Sequence, residues 1–403
     1  MSEPVPTGIQ LTALDPVFRE DPYPVLALLR EREPVHRDTE LNRIVFTRHD
    51  DVLAILRDTD MWSDPRKANP GTFTREYLAR GDEEPSMLLM DDPGHRRLRE
   101  LVRHPFTPRA VERWPPRTRQ VAERAIAGVE DGEFELIAQV AKPIPTVVIA
   151  ELLGIDASLH GEFKAWSDAM IAVSFSPVNA PEALEAAETA RGALEDFFRD
   201  EIARRRRAPG EDLISAMLRA EESGDRLSEH EIVLQCNLLL LAGNLTTTDL
   251  IGNGVRALVR NPDQLAKLRA RPERMKNAVE EMLRYDSPVT NSGRIADRDL
   301  EIGGEKIHRG ESLSVSLAAA NRDPAVYPEP DRFDIERADT HHQAFGGGRH
   351  FCLGAHLARL EAAETLAVLL ARFPKLELGE GGHRHAANPS FRGLEFFWVR
   401  GGR

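Results

Sequence analysis

Cysteine is nearly absent: the 403 residues hold two, Cys236 and Cys352. That excludes a disulfide framework and the paired CxxC ligands of a structural zinc site. Long apolar runs are missing as well. The run Leu238 to Gly243 is far below the roughly 20 residues a membrane span needs. The leading MSEPVPTGIQLTALDP lacks a charged start followed by an apolar core, so neither a signal peptide nor a membrane anchor is expected. Positive charge is in deficit, 53 Lys and Arg against 66 Asp and Glu, a net −13. A nucleic-acid binder would be expected to carry a basic face, so that class is disfavoured. No repeat period or low-complexity segment occurs, and Pro and Gly are scattered rather than gathered into a linker. One domain over residues 1–403 is therefore expected. The 41% hydrophobic content suffices for a substantial core and 30% charged is normal for a soluble protein; from the leading residues and the short apolar runs a cytoplasmic protein is expected.

What is present centres on His341 to Glu361, HHQAFGGGRHFCLGAHLARLE. Gly346, Gly347 and Gly348 can adopt backbone angles closed to other residues and let the main chain approach a bulky planar group. After Gly354, apolar positions recur at helical spacing. Cys352 thus sits on a glycine-shaped turn at a helix N-terminus, where backbone N–H groups favour a thiolate, the form that ligates metal. Three readings fit the stretch. Cys352 is a small buried hydrophobe; or His341, His342, His350, Cys352 and His356 hold zinc; or Cys352 ligates a haem iron. For the third, FGGGRHFCLG resembles the haem-ligand loop of the cytochrome P450 family, F-G-x-G-x-H-x-C-x-G. Phe345, Gly346, Gly348, His350, Cys352 and Gly354 fill all six fixed positions.

Upstream, residues 20 to 60 read as helix, two short strands turned at Glu40 to Asn42, and helix. Residues 61 to 86, rich in Pro, Gly and charge, read as a surface loop. MLLMDDPGHRRLRELV then opens a helix whose His95 and Arg99, four apart, share one face. Taken alone that face is solvated; the family resemblance implies that it holds haem propionates, which would accept charge-assisted hydrogen bonds. Residues 115 to 225 are mostly helical, with Gly154 closing IPTVVIAELL and two helices joined at Ser176 to Pro181. The resemblance implies that this pair roofs the substrate pocket. The run Arg204 to Arg207 reads as a solvated helix end.

In LSEHEIVLQCNLLLLAGNLTTTDLIGNGVRALVR, Ser228 and Glu231 form a capping box at the start of a helix apolar on nearly every side. Its middle suits a plain helix poorly. Gly243 costs about 1 kcal/mol relative to Ala, and threonine hydroxyls can capture the carbonyl four residues back and bend the axis. A kinked core helix is one reading. The resemblance implies another: an A-G-x-acid-T-T segment across the haem face opposite the thiolate, matched by Ala242, Gly243, Thr246 and Thr247. Leu245 departs from it, standing where the family places Asp or Glu before the threonine. Asp249, Asn244 or ordered water is expected to supply the proton path instead.

In ERMKNAVEEMLRYDSPV, Glu281 and Arg284 share a helix face. Their spacing alone reads as a surface pair; the resemblance implies a buried triad of Glu281, Arg284 and Arg332 bracing the cysteine loop. Short strands follow, with turns at Gly303-Gly304 and Arg309-Gly310, and the tail is expected to close in a hairpin with its tip near Phe391. The resemblance adds Arg294 and His350 to the propionate set, and a pocket of Leu88, Leu89, Phe175, Leu241, Ala242, Leu245, Val289, Thr290 and Phe391.

The implied whole is a mainly α fold with a small β region, haem b lying between the long central helix and the helix after the cysteine loop. The implied reaction is monooxygenation of a hydrophobic small molecule. Electrons would come from a ferredoxin and its NAD(P)H-dependent reductase, no flavin domain being fused, with Arg97, Arg103, Arg349 and Arg359 as a basic docking patch or simply as solubilising charge. A peroxide-driven peroxygenase and a haem sensor without turnover are the alternatives.

Overall fold

The computed structural model describes residues 5–79, 85–173, 180–219, 221–222 and 225–403. In chain order its principal elements are β1 (Val35–Asp38), β2 (Arg43–Phe46), α1 (Gly94–Val102), α2 (Pro115–Ala127), β3 (Gly132–Glu135), α3 (Pro143–Leu153), α4 (His160–Val173), α5 (Pro181–Arg207) and α6 (Glu229–Arg260). There follow α7 (Met275–Tyr285), β4 (Asn291–Ile295), β5 (Ser312–Ser316), α8 (Ala355–Arg372), β6 (Lys375–His385) and β7 (Leu394–Gly402). Helix accounts for 57% of the structure, so the class is mainly α, as the sequence implies.

The β1–β2 hairpin turns through Asn42 at φ 45°, a left-handed angle that Asn tolerates better than most residues. All four β2 residues are buried, because β2 pairs in parallel with β5, which pairs antiparallel with β4. The order is β1-β2-β5-β4. A second sheet, β6-β7-β3, joins the tail to the segment before α3. The tail strand begins at Lys375, earlier than the hairpin read from the sequence. Gly303 and Gly304, both at positive φ, turn the small hairpin Leu300–Ile302 and Glu305–Ile307.

The stretch 61–86 is not purely loop. A helix spans Phe73–Leu78, capped by the Thr72 hydroxyl, and Trp62 bridges to Ile295 at the edge of the first sheet. The join expected at Ser176 to Pro181 falls between the end of α4 and the start of α5, and most of it, with Phe175, lies outside the described residues.

Two helices position the site. α3 is buried along most of its length and stops at Gly154, φ 80°, where a β-carbon would be strained. α6 runs 32 residues, about 48 Å at 1.5 Å per residue. The Ser228 hydroxyl accepts from Glu231 N and the Glu231 carboxylate accepts from Ser228 N, the box expected from the sequence. The helix continues through Gly243 and the threonines. Residues of α2, α3, α5, α6, α7 and α8 form one large apolar core, and a smaller one lies beneath the first sheet.

Candidate functional site

The cysteine loop is fixed by its own backbone. Cys352 N donates to Phe345 O at 3.0 Å, and Gly346 N to Gln343 O at 2.8 Å. Gly348 has φ 63°, and a β-carbon there would overlap the Leu56 carbonyl, so only glycine lets the loop lie this close to its neighbour. Arg359, one turn into α8, stacks over the Phe345 ring at 4.4 Å. Cys352 carries accessible surface, while the protein around it is dense enough that burial pushes its thiol up. The Gly354 N–H, Arg99 and Arg359 pull the other way without prevailing. The helix N-terminus favours the thiolate, as the sequence expects, and burial opposes it; a bound cation is what would displace the proton.

Beside the loop lies a cluster of histidine and arginine side chains. The His95 and His350 rings lie 4.1 Å apart. His350 Nε2 meets Ser63 Oγ at 3.0 Å. His95 is 2% exposed, its nearest carboxylate Asp92 stands at 3.5 Å, and its Nε2 has no partner. Burial, with Arg294, His95, Arg349 and Arg99 nearby, pushes His350 down to about 2. Burial and Arg349 push Arg294 down to about 10. Arg294 spends its hydrogen bonds on Ser292 and Gly293, and Arg99 reaches Phe351 O at 2.6 Å. Buried cations and an unpartnered buried imidazole are costly unless an anion joins them. The carboxylates of a haem would supply that anion, so His95, Arg99, Arg294 and His350 fit the propionate role.

Across from the cysteine loop, α6 offers a stripe of accessible surface although much of the helix is buried. Ala242 is exposed, and Leu238, Leu241, Leu245 and Thr246 are half-buried, spaced as one helical face. The Thr246 hydroxyl donates to Ala242 O at 2.8 Å, the four-residue back-bond expected of it. Other α6 residues turn away from the stripe. Gly243 meets Ile149 of α3, and Thr247 is 2% exposed. Asn244 is buried and donates to Ser167 Oγ of α4 at 3.0 Å. Asp249 is buried, its Oδ2 has no hydrogen-bond partner, and burial with Asp286 nearby pushes its carboxyl up to about 8.

Of the other pocket candidates, Leu88 is exposed and Leu89 half-buried on the turn Met87–Leu89. Val289 and Phe391 pair as an isolated bridge, and Thr290 Oγ1 donates to Ser390 O at 3.2 Å.

The bracing network corrects the sequence reading. Arg284 and Glu281, both fully buried, pair at 2.7 and 2.9 Å. The Arg332 guanidinium is not the third member; it turns outward to Glu329 and Asp334, and only its carbonyl accepts from Arg284. Arg337 takes the place, donating to Glu281 at 3.2 Å and 3.4 Å. A second brace was not read from the sequence. Glu280 accepts from Arg359 at 2.6 and 2.8 Å and meets His342 at 3.2 Å. Against burial, these bonds hold its carboxyl down to about 2. Its only sequence signal is a second Glu beside Glu281. His342 is thus engaged by a carboxylate, and no group of three or more His, Cys, Asp or Glu side chains able to hold a metal occurs among the described residues. The zinc reading lapses.

The four arginines of the expected docking patch each have a carboxylate: Arg97 with Glu231, Arg103 with Glu100, Arg349 with Asp92 and Arg359 with Glu280. They do not form an uncompensated basic face. No helix among the described residues is long and apolar enough to cross a membrane.

Comparison with known proteins agrees with this geometry. The family model described as Cytochrome P450 matches residues 155–389. The chain is 40% identical to "Cytochrome P450 107B1" of Saccharopolyspora erythraea, covering 97% of this chain and 98% of that one. It is 40% identical to "Vitamin D(3) 25-hydroxylase" of Pseudonocardia autotrophica over 90% of this chain and 89% of that one. The solved structure of the Bacillus subtilis "Bacillaene Polyketide Synthase (PKS) Cytochrome P450 PksS" superposes with a TM-score of 0.88 at 34% identity, over 97% and 99% of the two chains. The chain belongs to the cytochrome P450 family, the haem-thiolate monooxygenases.

Proposed function

We propose that this P450 takes haem b, works in the cytoplasm, receives electrons from a ferredoxin served by an NAD(P)H-dependent reductase, and oxidises a hydrophobic molecule of secosteroid or polyketide size. The observation that carries the reading is the accessible surface on Cys352 together with the accessible apolar stripe of α6. The haem, when bound, supplies oxygen activation and insertion into a C–H bond. The rest falls to the chain. Cys352 Sγ is the metal ligand, and His95, Arg99, Arg294 and His350 anchor the propionates. Leu241, Ala242, Leu245, Val289 and Phe391 hold an apolar substrate and exclude water. The Thr246 hydroxyl holds a proton at the groove. The ferredoxin partner rests on family likeness, since the four arginines considered for docking are paired. The substrate size is supported by relatives whose names refer to vitamin D(3) and a polyketide.

Spectral titration of the haem-loaded protein with secosteroids and macrolactones, followed by NAD(P)H consumption with ferredoxin and reductase, tests the proposal. Compounds of this class should displace the distal water and be hydroxylated, and Thr246→Ala should divert most reducing equivalents to peroxide. If no such compound shifts the spectrum, the substrate class is wrong. Leu245, in place of an acid, favours one second reading, direct use of hydrogen peroxide; product formed with peroxide alone at the reductase-driven rate would establish it.

A further inference from the structure

We propose that Asp249 is the acid that resupplies the Thr246 hydroxyl with protons, taking over from the carboxyl that Leu245 lacks. The inference rests on the monooxygenase reading above. Asp249 lies three residues after Thr246 and four after Leu245, which places it on the same side of α6 as the stripe, one turn further on and buried beneath Gly393. The series Leu238, Ala242, Leu245, Asp249 is a single helical row, and its last member carries the carboxyl.

The carboxyl is not engaged in packing charge. Asp249 is 4% exposed, and its Oδ2 has no hydrogen-bond partner, an arrangement normally avoided for a buried polar atom. Room for it is made by Gly393, where a β-carbon would overlap Asp249 Oδ1 and Cγ. Gly393 also lines a small cavity with Ala13, Arg19, Thr290 and His385, so space that can hold solvent comes within one residue of the carboxyl. The nearby network that does bear charge is complete without Asp249. Asp286 receives Arg392 Nε at 2.6 Å and the Tyr23 hydroxyl at 2.9 Å.

In the step, the Asp249 O–H gives its proton to a bridging water, which passes one of its own to Thr246 Oγ1 as the threonine's hydrogen leaves into the groove. The carboxylate left behind takes a proton from water on the Gly393 side. Thr246 can accept, because its hydroxyl donates to Ala242 O and its lone pairs remain free. Burial that holds the carboxyl protonated up to about pH 8 keeps the donor loaded at neutral pH.

The surrounding groups permit a pH test. Asp286 is held down to about 2 and His385 is pushed down to about 3. Burial raises Tyr23 out of range. Arg256, Arg322 and Arg392 stay charged. The other buried carboxyl that titrates near 8 is Glu361, on α8. Donation by Asp249 is complete below pH 8 and lost above it.

The test uses the haem-loaded protein with its reductase system and two readouts. One is the carboxylic-acid C=O band in infrared pH-difference spectra; the other is peroxide released per NAD(P)H. Asp249→Asn, close in shape to the protonated acid, should remove one C=O band that titrates near pH 8 and raise peroxide several-fold at pH 7. Gly393→Ala, which displaces the carboxyl and keeps it, should raise peroxide as well. Glu361→Gln should remove the other band and leave coupling unchanged. In the wild type, coupling should fall as pH rises through 8; in Asp249→Asn it should be low and flat. If Asp249→Asn loses the band and keeps wild-type coupling, the proposal is overturned. It is overturned equally if no band belongs to Asp249. Failure of the monooxygenase reading itself would look different, as wild-type protein without product at any pH.

Discussion

At the scale of single residues, Glu281 tests how the cysteine loop is braced. Its carboxylate is fully buried, and its partners are Arg284 and Arg337. Removing one partner of a buried carboxylate costs about 3–5 kcal/mol, whereas losing an exposed pair costs under about 1 kcal/mol. Arg337→Ala should therefore lower the melting temperature sharply and reduce haem loading, and Arg332→Ala should do neither. The reverse ranking in thermal unfolding of the purified variants would restore Arg332 to the triad. This scale also shows what the sequence withholds. Glu281 with Arg284 is legible because helical spacing fixes residues three apart on one face. Arg337 and the Glu280–Arg359–His342 brace join residues 56 to 79 positions apart. Such pairings depend on the path of the loop before Cys352 and on where α8 packs against α7, and no local rule predicts either.

At the scale of elements, the motifs that local rules govern are legible. The capping box at Ser228 and the close of α3 at Gly154 stand as read, and of the glycines before Cys352, Gly346 and Gly348 take positive φ while Gly347 is extended. The helix Phe73–Leu78 is not legible, because six residues cannot sustain a helix alone. Tertiary contacts hold it: Arg43 lies 5.3 Å over the Phe73 ring, and Thr74 bonds Ser312 of β5. The faces of α6 are legible only in part. Spacing puts Thr246 and Asp249 near one side, but that Asn244 is spent on Ser167 depends on where α4 crosses. The loop glycine gives the sharpest prediction here. Gly348→Ala must fit a side chain at φ 63° against the Leu56 carbonyl, two penalties at once. The purified variant should load much less haem; wild-type loading would mean that the loop does not need that approach.

At the scale of the whole molecule, helix-rich class and the general placement of the site are legible through the family resemblance that four ordered motifs carry. The parallel pairing of β2 with β5 is not, since Ile44 meets Leu313 across most of the chain. The ensemble of buried carboxyls sets a pH profile for stability. Glu280 and Asp286 are held down to about 2, so the stability they contribute is present above the ordinary carboxyl range near 4 and is lost as pH falls toward 2. Asp249 and Glu361 are pushed up to about 8, so the folded state binds their protons more tightly and loses stability as pH climbs from about 4 to 8. The melting temperature should be highest in mildly acidic solution, and Asp249→Asn with Glu361→Gln should flatten the alkaline fall. A fall of unchanged slope in the double variant would contradict the assignment.

The haem-thiolate assignment depends on the Cys352 sulfur binding haem iron. The most direct measurement is the absorption spectrum of reduced, carbon-monoxide-treated protein, taken for the native chain and for Cys352→Ser. The native chain should show the strongly red-shifted Soret band of thiolate-ligated haem, and the serine variant should lose it. A serine variant that keeps the native band, or a native chain with a histidine-type spectrum, would contradict it.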